Sequence, residues 1–144
     1  MKFENILVIF ITLEHTEHTY DVAFELAKKF NSKITFLKCV IESHPTFGFF
    51  RTKKEKESHK KELQEAEKSL HEIEDLAKKF DVSINTLVES VESFPDFLVS
   101  YVEENHPDLL IIDSHSLDEV EHQDHKVTIH KIFQEISCPL LTLK

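Results

Sequence analysis

Short apolar runs alternate with amphipathic segments along this chain, and that alternation constrains the fold more than any other feature. The first run, NILVIFIT from Asn5 to Thr12, is apolar through its centre, as is typical of a strand buried on both faces of a parallel sheet. Four further strands are predicted for Lys33–Ile41, Val82–Val88, Asp108–Asp113 and Pro139–Leu143. Because helical segments separate them, we predict a doubly wound, Rossmann-like α/β fold, a five-stranded parallel sheet with helices on both faces.

The segments between the strands carry apolar residues at helical spacing. They predict helices over Glu17–Phe30, Arg51–Phe80, Phe94–Asn105 and about Val127–Ile136. The expected apolar faces are Val22, Ala23, Leu26, Ala27 and Phe30 in the first; Leu63, Ala66, Leu70, Ile73, Ala77 and Phe80 in the second; and Ile129, Ile132, Phe133 and Ile136 in the last.

One short pattern occurs twice, as LAKKFNSKIT from Leu26 and as LAKKFDVSIN from Leu76. We interpret it as the same helix end, turn and strand start used in two places. A third copy is absent, so the pattern does not indicate a solenoid. A chain of 144 residues is the usual length of one domain, and we predict a single domain over residues 1–144.

Composition argues against several functions. The formal net charge of −10 leaves no basic stripe for nucleic acid or for an anionic membrane surface. The longest apolar run, Ile6–Leu13, is far shorter than the roughly 20 residues that span a bilayer, and it has no cleavage site of a signal peptide. Cys39 and Cys138 lie inside apolar runs without a C-x-x-C partner, which favours buried free thiols and a cytoplasmic location.

The stretch DSHSLDEVEHQDHKV, residues 113–127, follows the fourth predicted strand, where ligands of such sheets often bind. We predict an acidic, histidine-rich loop there. The only glycine of the chain is Gly48, so this loop lacks the residue that lets backbone amides surround a phosphate. Its carboxylates would also repel a triphosphate, and they are Asp113, Asp118, Glu119, Glu121 and Asp124.

Three segments resemble the universal stress protein family: the opening from Asn5 to Leu37, HPDLLIIDSHS, and ISCPLLTL near the end. The resemblance covers essentially the whole chain in order. It implies the strand order 3-2-1-4-5. It also implies a homodimer, commonly built by pairing the fifth strands, here Pro139 to Leu143, across a two-fold axis.

Many members of that family bind ATP through an Asp at the end of the first strand and a G-x2-G-x9-G-[ST] run after the fourth. An ungapped alignment places the run's three glycines at Asp113, Ser116 and Lys126, and its hydroxyl residue at Val127. The remaining pocket positions fall on Ile11, Thr12 and Cys39. Every motif residue differs although the spacing is intact. The resemblance therefore implies a stress-response or regulatory homodimer that does not bind ATP.

Two other functions remain open. A degenerate pocket could still hold a nucleotide or another small ligand. Alternatively, a metal such as zinc or nickel could bind the cluster of His115, Glu121, His122, Asp124 and His125, although the competing interpretation is a solvated acidic loop. The ten histidines also allow a pH-dependent change of assembly.

Nothing in the sequence indicates catalysis, because no G-x-S-x-G nucleophile elbow is present, and we predict that the chain is not an enzyme. Phe47, Phe49 and Phe50 surround the glycine in the connection after the second strand. We expect these rings either to cover the pocket or core, or to form an exposed lip for a protein partner.

Overall fold

A five-stranded parallel sheet forms the centre of the computed structural model. The structure describes residues 2–12, 17–42, 53–124 and 127–144, with only the backbone described for residues 120–129 within these ranges. The strands are β1 (Asn5–Phe10), β2 (Lys33–Ile41), β3 (Ile84–Val91), β4 (Leu109–Asp113) and β5 (Leu140–Leu143). The helices are α1 (Glu17–Phe30), α2 (Lys53–Lys79), α3 (Phe94–Asn105), α4 (Ser114–Asp124) and α5 (Val127–Glu135).

The strand order is β3-β2-β1-β4-β5, which confirms the predicted order and fold class. Strand β1 lies between β2 and β4, and Val8 pairs with Phe36 on one side and with Ile111 on the other. All residues of β1 except the first are buried. This central position explains why the first apolar run has no alternation of polar and apolar residues.

Helices cover both faces of the sheet. On one face, Phe94, Leu98 and Val102 of α3 and Ile132 of α5 pack against β1, β2 and β4. On the other, α1 and α2 cover a core that contains a cluster of aromatic rings. In that cluster Phe36 stacks on Phe10 with ring centroids 5.8 Å apart and meets Phe24 edge to face. The two cores hold the sheet rigidly, so the ends of its strands can position a site.

Three phenylalanines expected on apolar faces are exposed instead. Phe30 is 50% exposed, Phe80 41% and Phe133 51%. Phe30 and Phe80 lie where their helices end, beside the starts of β2 and β3, and little sheet remains there for them to cover. Phe133 follows the fully buried Ile132, and adjacent helical residues point about 100° apart, so both cannot face the core.

The repeated sequence pattern forms the same helix ending twice. In the first copy the N–H of Ser32 donates to the carbonyl of Ala27 at 2.9 Å, and in the second the N–H of Val82 donates to Ala77 at 3.0 Å. This six-to-one bond belongs to the Schellman motif, whose next-to-last residue adopts a left-handed conformation. Asn31 and Asp81 hold that position, with φ of 53° and 55°.

A third helix, α3, also ends in a left-handed residue that is not glycine. His106 has φ 49° and ψ 54°, and its N–H donates to the carbonyl of Val102. We expect His106→Gly to raise the free energy of unfolding by about 1 kcal/mol, because a side chain with a Cβ is strained in this conformation. Urea denaturation measures the change. His106→Ala is the control, and an equal gain from alanine would contradict the explanation.

Candidate functional site

The stretch predicted as a loop over residues 113–127 is largely helical, so that prediction was wrong. Helix α4 begins at Ser114, directly after β4. Asp113 caps it, because its Oδ1 accepts a hydrogen bond from the N–H of Ser116 at 2.6 Å. Without glycine or proline, and with an aspartate before it, the stretch favours a helix over the open turn that a phosphate loop requires.

The first turn of α4 is bonded to the end of β1. The N–H of Ile11 donates to Ser116 Oγ at 3.0 Å, and both residues are buried. Ile11 and Ser116 were two of the predicted pocket positions, and the structure brings them into direct contact. The contact joins the end of β1 to the helix after β4, the two segments that carry most of the pocket positions aligned from the family resemblance.

Lys38 completes this arrangement from β2. Its ammonium donates to the carbonyl of Ile11 and, at 3.0 Å, to the carbonyl of Cys39. Burial lowers the pKa of Lys38, while the nearby carboxylates of Glu62 and Glu119 oppose that shift. Both backbone groups of Ile11 are therefore bonded to side chains of this chain. The sequence argument missed Lys38; its signal is a lysine in the interior of a largely apolar strand.

Asp113 is the last residue of β4, is 2% exposed and adds a negative charge at the carboxyl ends of the strands. Its Oδ2 is buried and has no hydrogen-bond donor among the described residues. A second anion close to this carboxylate would be repelled, at an energy on the order of 1–4 kcal/mol depending on screening. The replacement of the first family glycine by Asp113 thus opposes phosphate by charge as well as by shape.

Cys39, the pocket position on β2, is fully buried. Burial raises the pKa of its thiol to about 12 from an ordinary value of 9.0. The thiol therefore stays neutral at physiological pH. It lines the site as a small apolar group and is a poor nucleophile.

The raised pKa of Cys39 predicts a loss of stability at high pH. The neutral thiol contributes stability that is fully present below pH 9 and is lost as the pH rises toward 12. At about pH 10 we expect this loss to reach about 1.4 kcal/mol. Urea denaturation of wild type and Cys39→Ala, at neutral pH and at about pH 10, measures it. Lys38 is present in both proteins, so its titration affects both equally. If the free energy of unfolding falls with pH to the same extent in wild type and in Cys39→Ala, the loss does not come from Cys39.

The predicted metal cluster remains a prediction. His115 is exposed on α4. The side chains of His122, Asp124 and His125, as well as Lys126 and the side chain of Val127, lie outside the described part of the chain. Within the part that is described, no three His, Cys, Asp or Glu side chains are grouped to hold a metal ion. The aromatic segment with Phe47, Phe49 and Phe50 also lies outside it.

A Ser–His–Glu group, which the sequence argument did not anticipate, lies where β2 and β3 end. Ser90 Oγ donates to Glu42 Oε1 at 2.7 Å and lies 3.0 Å from His59 Nε2. Glu42 Oε1 is 3.6 Å from that same ring nitrogen. A catalytic triad needs the acid on the opposite ring nitrogen, where it orients the base. Here the acid and the serine share one nitrogen, so the group links α2 to the sheet without forming a proton relay.

Comparison with known proteins agrees with this fold. The model of the universal stress protein family matches residues 2–144. The chain belongs to the universal stress protein family. A search of curated proteins finds no match. No helix within the described ranges is long and apolar enough to cross a membrane.

Solved structures of this family superpose over nearly the whole chain. UspA from Lactobacillus plantarum has a TM-score of 0.78 at 14% identity, covering 100% of this chain and 99% of that one. A family member from Burkholderia pseudomallei has a TM-score of 0.71 at 17% identity, covering 98% and 96%. A third, from Archaeoglobus fulgidus in complex with dAMP, has a TM-score of 0.63 at 16% identity, covering 100% of both chains. At these identities the likeness concerns the fold.

Proposed function

We propose that this universal stress protein domain is a non-enzymatic, cytoplasmic regulatory module that acts as a homodimer and does not use a nucleotide. The main support for the absence of nucleotide binding is the hydrogen bonding of Ile11. Both backbone groups of Ile11, at the end of the central strand, are already bonded to Ser116 and Lys38. A nucleotide placed as in ATP-binding relatives would have to displace these bonds and approach the buried carboxylate of Asp113.

The energy of that displacement supports weak or absent nucleotide binding. Each buried hydrogen bond that loses its partner costs about 1–3 kcal/mol, and the repulsion by Asp113 is added to this. Glycine-rich loops gain most of their phosphate affinity from exposed backbone amides. In this chain the N–H of Ser116 is instead bonded to Asp113.

Isothermal titration with Mg-ATP and with dAMP tests the proposal, with the dAMP-binding relative from Archaeoglobus fulgidus as the positive control. We expect no heat of binding at concentrations that saturate the relative, and no adenylate mass in native mass spectra of gently purified protein. Stoichiometric nucleotide in either measurement would overturn the proposal. It would support the alternative in which a degenerate pocket still holds a ligand.

The proposed dimer is supported by the exposed edge of the sheet. Among the described strands, β5 is at one end of the strand order and pairs with β4 alone. Its Leu140, Leu141 and Leu143 are only partly buried, and Phe133 of the adjacent α5 is 51% exposed. Apolar side chains beside an unpaired strand edge favour pairing with a second copy of the same strand.

The regulatory role also requires a protein partner. We propose that this partner contacts the aromatic segment with Phe47, Phe49 and Phe50, because aromatic residues are enriched at protein interfaces. Stoichiometric zinc provides a separate test of the metal alternative. A rise in melting temperature that is lost in His122→Ala/His125→Ala would support that alternative and count against a purely protein-binding role.

A further inference from the structure

A surface cavity of about 400 Å³ lies at the amino ends of the strands. It is at the other end of the sheet from the nucleotide crevice, which is the site at the carboxyl ends of the strands formed by Ile11, Lys38, Asp113 and Ser116. The ends of α1 and α2 and the starts of β2 and β3 surround it. Its walls come from both copies of the repeated sequence pattern. The residues that matter are Lys28, Asn31 and Ser32 from the first copy and Phe80, Asp81 and Ser83 from the second. The volume falls in the range of small-molecule sites.

The ring of Phe80 forms the apolar part of the cavity. It is 41% exposed, although the ring of Phe24 stacks against it with centroids 5.4 Å apart. The ammonium of Lys28 lies 5.3 Å from the centroid of the same ring. Phe24 thus stacks on this ring and the ammonium of Lys28 lies over it, and the part of the ring that stays exposed is where another ring can pack.

The charged and polar groups of the cavity indicate which charges a ligand must carry in addition to an apolar ring. Lys28 supplies a positive charge and Asp81 a negative one, and neither is in an ion pair with another described residue. Asn31 and Ser83 add an amide and a hydroxyl. A simple anion would be repelled by Asp81 and by the negative ends of two helix dipoles, while a simple cation would be repelled by Lys28.

From this arrangement we propose that the cavity binds a small zwitterion with an apolar ring, that is, an aromatic α-amino acid. Its carboxylate pairs with Lys28 and accepts from Asn31 or Ser83. Its ammonium pairs with Asp81, and its ring packs on the exposed part of Phe80. Asn31, Asp81 and Ser83 stand at positions where the two copies of the repeat differ, whereas Lys28 and Phe80 have identical counterparts in the other copy. The cavity combines residues of both copies, so neither copy forms it alone.

L-Tryptophan is a suitable probe, because the chain contains no tryptophan. Its fluorescence, excited where the two tyrosines of the chain do not absorb, reports on the ligand alone. We expect a saturable change in that fluorescence, with amide shifts in NMR spectra at Asn31, Ser32 and Ser83. Tryptamine lacks the carboxylate and indole-3-propionate lacks the ammonium, so each should bind about tenfold more weakly.

Two variants locate the site, and the repeat provides their controls. Lys28→Gln and Asp81→Asn should each weaken tryptophan binding by about tenfold. Asparagine suits the backbone at position 81, because Asn31 holds the equivalent left-handed position in the first copy. Lys78→Gln makes the same change as Lys28→Gln in the other copy, where the lysine is not part of the cavity wall, and binding should stay within about twofold.

Several results would overturn the proposal: no saturable binding up to the solubility of tryptophan, equal binding of tryptamine or indole-3-propionate, or equal effects of Lys28→Gln and Lys78→Gln. Melting temperatures of the variants show whether each remains folded. The cavity lies at the amino ends of the strands and the nucleotide crevice at their carboxyl ends. Failure here therefore leaves the nucleotide experiment unaffected, and the reverse also holds.

Discussion

Thr142→Pro should raise the dissociation constant of the proposed homodimer about a hundredfold, which corresponds to ~2–3 kcal/mol. Leu140 pairs with Leu110, whose N–H donates to the carbonyl of Pro139 at 2.9 Å. In a parallel ladder this register turns the N–H of Thr142 away from β4, toward the free edge. Proline removes that donor. In the proposed symmetric dimer this loss occurs once in each protomer and leaves two acceptors unpaired.

Mass photometry or sedimentation over a range of concentrations measures the dissociation constant. Thr142→Val is the matched control, because valine keeps the N–H and the β-branched shape, so its dimer should be as tight as that of wild type. A monomeric wild type, or equal dissociation constants for the proline and valine variants, would rule out pairing through β5.

Most of the fold follows from local sequence patterns. The predicted bounds of α1, β2 and α3 agree with the structure residue for residue. Each is a regular element with clear ends: α3, for example, begins with Pro95 in its first turn and ends before Pro107. The strand order follows from the family resemblance and is confirmed.

The candidate site was less predictable, because its character depends on contacts between distant segments. The sequence argument singled out Asp113 and Ser116 only as replaced glycines in a loop. Asp113 caps the helix through a bond to Ser116, three residues further on. The role of Ser116 as the acceptor for Ile11 depends instead on where α4 meets β1, more than one hundred residues apart in sequence. Aspartate before a stretch without glycine or proline was the local signal for a helix.

The role of Lys38 also depends on a contact that local sequence does not reveal. A lysine inside the apolar run KITFLKCVI indicates only an interruption of the pattern. Its ammonium finds acceptors because β1 ends beside it and exposes the carbonyl of Ile11. Likewise, helical spacing placed Phe30 and Phe80 on the apolar faces but could not show where the sheet stops beneath them.

Ser116→Ala is expected to lower the free energy of unfolding by about 1–3 kcal/mol. The hydroxyl of Ser116 is the acceptor for the N–H of Ile11, and the serine is fully buried, so alanine leaves that N–H without a partner and without access to water. Alanine also has the higher helix propensity, which offsets the loss by only a few tenths of a kcal/mol. Urea denaturation at fixed protein concentration measures the difference.

Ser114→Ala separates the lost bond from the change of residue type, because it makes the same substitution in the same first turn of α4. Ser114 is only partly buried and has no side-chain hydrogen bond to another described residue, so its replacement should leave stability within about 0.5 kcal/mol of wild type. Equal losses in the two variants would mean that helix α4, rather than its bond to β1, responds to the substitution. A loss confined to Ser116→Ala would establish that α4 closes the crevice through Ile11, the contact on which the proposed exclusion of nucleotide rests.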